Sequence, residues 1–126
     1  MKKIFLFIGF LFSMSLKSQE ILFDNDKLDY GIIKYDSDGY RDFIFTNIGD
    51  SPLLINNVIG QCGCTTTIEN GVPGWPLNPI KPKQKGIIRV KYDTKRIGKF
   101  DKIITVMSNN KNGDKIIRIF GIVNEK

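Results

Sequence analysis

The feature that most constrains this chain is a two-residue alternation of apolar side chains, which recurs from Tyr40 almost to the C-terminus. "FIFTN" puts Phe43 and Phe45 on one face and Ile44 on the other. "IIRVKYD" sets Ile88, Val90 and Tyr92 against Ile87, Arg89 and Lys91, and "KIITVMSN" sets Ile104 and Val106 against Ile103, Thr105 and Met107. "KIIRIFGIV" aligns Ile117, Ile119 and Val123. A period of two is the pattern of half-buried strands, and the β-branched and aromatic residues that fill these runs are those strands favour.

Turn signals separate the runs. "DSDG" precedes Tyr40, "NIGDSP" spans Asn47 to Pro52, and Asn112-Gly113 lies inside "NKNGDK". Asn-Gly suits a type I′ turn because both central residues need positive φ, so it joins Phe100–Asn109 to Lys115–Asn124 as an antiparallel hairpin. Eight strands are expected, about Ile21–Asp24, Leu28–Tyr35, Tyr40–Asn47, Leu53–Ile59, Cys64–Ile68, Gly86–Asp93, Phe100–Asn109 and Lys115–Asn124. Short strands at this spacing predict an all-β fold, a single antiparallel β-sandwich of seven or eight strands. "NGVPGWPLNPIKPKQKG", Asn70 to Gly86, breaks the rhythm. Pro73, Pro76, Pro79 and Pro82 cannot donate to a ladder, so the segment reads as a stiff loop crossing the sandwich.

The first 18 residues read as an address. Lys2 and Lys3 form a positive start, Ile4 to Phe12 an apolar run, and Ser13, Ser15 and Ser18 a small-residue region. The run falls short of the roughly 20 residues a bilayer span needs. Residues 1–18 are therefore expected to be a signal peptide, cleaved after Ser15 or Ser18, with residues 19–126 as one domain. The product would be exported, to the periplasm, the cell envelope or the medium. No transmembrane span would remain after cleavage. Without the leader the chain has 16 bases against 13 acids, net +3. Residues 19–80 sum to −6 and residues 81–126 to +9. The two halves are expected to face and neutralise each other, and nucleic acid is not an expected partner.

The motifs "DYGII" (Asp29–Ile33), "FTNIGDSPLLINNV" (Phe45–Val58), "CGCT" (Cys62–Thr65), "WPLNPIKP" (Trp75–Pro82), "VKYDTKRIGKFDKIITVMSN" (Val90–Asn109) and "IFGIV" (Ile119–Val123) occur in this order over nearly the whole mature chain. Together they resemble a family of exported bacterial proteins known as a domain of unknown function, fifteen-seventy-three in its series. The resemblance implies an immunoglobulin-like sandwich, akin to the domains of major sperm protein and of certain ciliary and centrosomal proteins of the ASH type. Those relatives mostly serve as binding or scaffolding modules, and no catalytic residues come with the family. Phe120 and Ile122 depart from the polar outer face expected of the last strand.

Cys62 and Cys64 are the only cysteines, one residue apart. On a regular strand their Cα atoms would lie about 6.5 to 7 Å apart, so a disulfide would need a bend that Gly63 allows. Four states stay open: a disulfide, which an oxidising compartment favours; free thiols packed against the Trp75 loop; a redox-active pair; or a soft-metal site for Cu(I), with Met107 as a candidate third ligand. "DSDG" reads as a turn more than as half a calcium loop, and Asp24, Asp26 and Asp29 are equally weak candidates. The chain has no histidine, which removes the usual general base and triad centre. No cofactor is implied.

If Ile104, Val106, Ile117 and Ile119 face inward, then Ile103, Ile116, Phe120 and Ile122 face outward on paired strands. With Trp75 they form a candidate partner surface. The function expected is a non-catalytic binding or scaffold module of the cell envelope. Its partner would be another envelope protein or polymer, or a second copy as a homodimer. The alternative is a thiol-redox or Cu(I)-handling protein acting through Cys62 and Cys64.

Overall fold

The computed structural model describes residues 19–126, so the expected signal peptide and its cleavage site lie outside the described residues. Ten strands and no helix make up this part of the chain. They are β1 (Ile21–Phe23), β2 (Lys27–Ile33), β3 (Tyr40–Asn47), β4 (Ile55–Gly60), β5 (Thr65–Thr66), β6 (Ile68–Glu69), β7 (Val72–Pro73), β8 (Lys85–Tyr92), β9 (Gly98–Ser108) and β10 (Lys115–Val123). One sheet has the order β1-β3-β8-β5 and the other β2-β10-β9-β4, with β6 and β7 as a separate hairpin. This is the expected immunoglobulin-like sandwich, with one departure from antiparallel pairing. β2 runs parallel to β10, Lys27 lying opposite Arg118 and Val123 opposite Ile33.

The alternation sorts side chains as expected. Phe43 and Phe45 are buried while Ile44 is exposed, and Ile88, Val90 and Tyr92 point inward from β8. Ile104 and Val106 of β9 meet Ile117, Ile119 and Val123 of β10 in the same core. Toward one end, the Tyr92 and Phe100 rings stack at 3.8 Å and Tyr30 meets Phe100 edge-on at 5.3 Å. The Tyr30 hydroxyl donates to the Gly39 carbonyl at 2.8 Å. Burial, the largest cause, pushes the Tyr30 phenol up to about 12, partly opposed by the nearby Arg41 guanidinium. For an acid with a raised folded value, the neutral form's stabilisation is present below the ordinary 10.0 and is lost as pH climbs through about 12. Alkaline denaturation should therefore show a loss of about 2 kcal/mol in that window, allowing for some solvent screening. Tyr30→Phe should flatten most of this dependence. The comparison is of denaturant midpoints of both proteins against pH.

Two turns differ from expectation. The hairpin between β9 and β10 forms, with Ile117 opposite Ile104. Its connection, however, is a six-residue loop in which Gly113 N–H closes a turn onto Asn110 O at 3.0 Å. Only Gly113 has positive φ there, so Asn112-Gly113 is not a type I′ pair. The type I′ signature sits instead at Asn70 (φ 53) and Gly71 (φ 78), which join β6 to β7 inside the segment expected to be irregular.

The rest of that segment is fastened by Asn47, at the end of β3 and fully buried. Its Nδ2 donates to Ser51 O and to Ile80 O, both at 2.8 Å, and its Oδ1 accepts Gly49 N–H at 2.9 Å. Its backbone pairs with Gln84 and Lys83, and Ile80 bridges to Leu53. The "NIGD" motif is thus a clamp between a turn and the proline segment. Charge neutralisation across the halves is also visible. Four of the six ion pairs among the described residues join an acid of residues 19–80 to a base of residues 81–126: Asp24–Lys85, Asp42–Arg89, Glu69–Lys91 and Glu20–Lys111.

Candidate functional site

The cysteines do not lie on a strand. After β4, Gln61 takes over the ladder, its backbone N–H donating to Ile103 O at 3.1 Å and its side-chain Oε1 accepting Ile103 N–H at 3.0 Å. Cys62 to Thr65 then form a turn, closed by Thr65 N–H on Cys62 O at 3.3 Å. This bend brings the two Cα atoms to 5.2 Å, and the sulfurs are joined as a disulfide. Gly63 is not in the left-handed region, and a Cβ placed on it would meet nothing within 4 Å. Gly63 allows the bend, as expected, but the bend does not require glycine.

Cys64 is 1% exposed and belongs to the core, while Cys62 is only partly buried against it. Cys64 N–H points at Cys62 Sγ at 3.3 Å, and Thr65 Oγ1 lies 3.7 Å from Cys64 Sγ. In the chain-entropy account a cross-link over so short a loop contributes about 1.6 kcal/mol, roughly half of what a 15-residue loop contributes. Met107 sits opposite Asn57, toward the far end of β4 from the cysteines, so it does not join them as a ligand. Among the described residues no three of His, Cys, Asp and Glu are grouped to hold a metal ion. "DSDG" is a turn, with Asp36 at φ 60 and Asp38 Oδ1 accepting Tyr40 N–H at 2.9 Å.

The expected apolar surface is brought together, without Trp75. On the outer face of the β2-β10-β9-β4 sheet, Ile116 and Ile59 flank Thr105 from opposite sides, and Ile103 lies opposite Arg118. Phe120 lies opposite Asp101, and Ile122 is flanked by Lys99 and Ile32. Ile32, Ile59, Ile116 and Ile122 are 40–70% exposed, whereas Ile103 and Phe120 are half-buried. The Arg118–Asp101 pair at 2.7 Å interrupts the apolar surface. Trp75 is only 8% exposed and packs in the core, so it presents no partner surface. Its segment is held at β8 by Arg89 N–H on Gly74 O at 2.7 Å, clear of β9 and β10.

One cluster escaped the sequence reading. Glu69 of β6 reaches back to the outer face of β3 and β8, accepting from the Tyr40 hydroxyl and, at 3.3 Å, from Lys91 Nζ. Its carboxyl is held below the usual range first by the Tyr40 hydrogen bond and then by Lys91. Arg89 meets Asp42 through two bonds of 2.8 and 3.1 Å, which lower the Asp42 carboxyl. The β6–β7 hairpin thereby roofs a cleft of about 270 Å³ lined by Tyr40, Glu69, Val72, Arg89 and Lys91 among others. Asn70-Gly71 could have pointed to this hairpin, but the four prolines around it masked the signal.

Several solved structures share the fold. A protein of unknown function from Porphyromonas gingivalis W83 superposes with TM-score 0.68 at 16% identity, over 82% of this chain and 46% of that one. The ASH/PapD-like domain 7 of human CEP192 gives 0.63 at 7% identity, over 86% and 88%. The secreted serine protease VesC of Vibrio cholerae gives 0.60 at 12% identity, over 82% and 23%. The chain thus spans less than half of the P. gingivalis protein and about a quarter of the protease, and at these identities the likeness is one of fold. No curated protein matches in sequence. A model of the family described as "Protein of unknown function (DUF1573)" matches residues 21–123, from the first residue of β1 to the last of β10, and the chain belongs to that family.

Proposed function

We propose that this protein is an exported, non-catalytic binding module of the bacterial cell envelope, which docks another envelope protein on the outer face of its β2-β10-β9-β4 sheet. The observation that carries the proposal is the set of six apolar side chains (Ile32, Ile59, Ile103, Ile116, Phe120 and Ile122) on that one face. The outer face of the other sheet presents Leu22, Ile44 and Ile87 with a half-buried Tyr40, and it is crossed by the Asp42–Arg89 and Glu69–Lys91 pairs. Apolar side chains mixed with a few charges are the make-up of non-obligate interfaces. The leader-like residues 1–18 support export, and the lack of any histidine argues against a hydrolase centred on imidazole.

Photo-crosslinking separates the faces. A crosslinking residue at Ile122 should give adducts with an envelope protein, and one at Ile87 should give none. Ile116→Ser/Ile122→Ser should abolish the adducts formed through a crosslinker at Ile59, while lowering stability by about 2 kcal/mol in total, because each side chain is only about half buried. Adducts formed from Ile87 alone, or undiminished by the double substitution, would overturn the proposal. Sedimentation of the purified chain tests the homodimer in the same experiment, since a self-adduct of doubled mass would identify the partner as a second copy.

A further inference from the structure

We infer that the Cys62–Cys64 disulfide is a site of thiol–disulfide exchange with dithiol-bearing proteins, with Cys62 as the sulfur that is attacked. The two sulfurs are unequal. Cys62 is partly exposed, whereas Cys64 is 1% exposed and forms part of the core, so an incoming thiolate reaches Cys62 first. Gly63 between them is exposed, and a Cβ there would meet nothing within 4 Å, so a side chain can be introduced next to Cys62 without a clash. Donors are also in place for both leaving sulfurs. The Cys64 N–H lies 3.3 Å from Cys62 Sγ, and the Thr65 hydroxyl 3.7 Å from Cys64 Sγ. A cross-link that closes only a two-residue separation adds little to a sandwich with a full apolar core, which leaves it free to open without unfolding.

The exchange balances in two steps. A partner thiolate attacks Cys62 Sγ, a mixed disulfide forms, and the Cys62–Cys64 bond breaks with the electron pair going to Cys64, which takes up a proton. The partner's second thiolate then attacks its own sulfur in the mixed disulfide, and Cys62 leaves as a thiolate that is protonated from solvent. The partner dithiol is oxidised to a disulfide and the Cys62–Cys64 pair is reduced to two thiols, with two electrons transferred. The reverse sequence reoxidises the pair.

The probe is dithiothreitol acting on the folded full chain, followed by alkylation and mass measurement, with circular dichroism as the fold readout. The pair should open in millimolar reagent with the strand signal unchanged. Gly63→Val should leave thermal stability intact and slow the opening by at least about tenfold, because rates of exchange follow access. With oxidised glutathione, Cys64→Ala should form a mixed disulfide through Cys62, and Cys62→Ala should react roughly tenfold more slowly. A pair that opens only when the domain unfolds would overturn the inference, as would a Gly63→Val protein reduced at the wild-type rate. If Cys64→Ala fails to fold, the Gly63→Val comparison decides alone.

Discussion

Asn47→Asp is expected to leave the domain largely unfolded at neutral pH, although it changes one atom and opens no cavity. The Asn47 amide spends both N–H bonds on carbonyl oxygens, those of Ser51 and Ile80 at 2.8 Å, in a fully buried site. An ionised carboxylate would set an oxygen against both of them without water to screen it. Two buried acceptors lose their partners at about 1–3 kcal/mol each, and the charge adds its own desolvation cost. The total reaches at least about 4 kcal/mol, against the 5–15 kcal/mol that holds a typical domain together. Asn47→Ala, which introduces no charge, should cost about 3 kcal/mol. The pH dependence separates the two. The buried carboxyl must have a raised pKa, so the Asp variant is least handicapped in acid, where it is neutral, and loses stability as pH rises through that value. Urea midpoints near pH 4 and pH 7 for both variants make the test. Equal losses for Ala and Asp at neutral pH would show that the amide does not face those carbonyls.

Gly39→Ala is the second large effect. A Cβ at Gly39 would stand 2.1 Å from Tyr92 O, a backbone atom of the last residue of β8, which β5 holds from the other side. Relieving that overlap means moving the 36–39 turn away from β8. The movement parts Gly39 O from Tyr92 N–H at 3.0 Å and from the Tyr30 hydroxyl at 2.8 Å. With two hydrogen bonds lost at about 1 kcal/mol each and overpacking of about 1–3 kcal/mol, the expected loss is about 3–5 kcal/mol. The same substitution should lower the Tyr30 phenol toward its ordinary value, because water then reaches the ring edge. Thermal unfolding and a spectroscopic tyrosine titration read the two effects separately. A variant that melts within a few degrees of the parent would contradict the close approach.

The strands were legible because burial on one face leaves a mark at every second residue. Phe43 and Phe45, Ile104 and Val106, Ile117 and Ile119 all fall on the side their alternation assigns. The parallel β2–β10 pair was not legible. Alternation says which face a strand buries and nothing about which neighbour it takes, or in which direction. The two Asn-Gly pairs were misassigned for a related reason. The dipeptide tolerates positive φ, but the length of the connection decides whether it is used, and only Asn70-Gly71 sits between strands close enough to need it. Trp75 is expected on the partner surface together with the outward residues of β9 and β10. Here Asn47, Leu53 and Arg89 draw the segment against the open edge and turn the indole inward. Of the candidate sites, the outward residues of β9 and β10 followed from period two. The Tyr40–Glu69–Lys91 cluster did not, since it joins side chains 29 and 22 residues apart through a hairpin that the pattern hid.

β2 pairs with β10, roughly 90 residues further on, so an N-terminal fragment that lacks β10 leaves β2 without its sheet neighbour. A chain delivered gradually, from a ribosome or through a pore, carries an unmated β2 until its final strand is free, and closing so large a loop is an early entropic barrier with a late reward. Assembly should therefore be a single late event with few populated intermediates. A chain truncated before Lys115 would be left with open sheet edges, recognisable to quality-control proteases and prone to stick to its own kind.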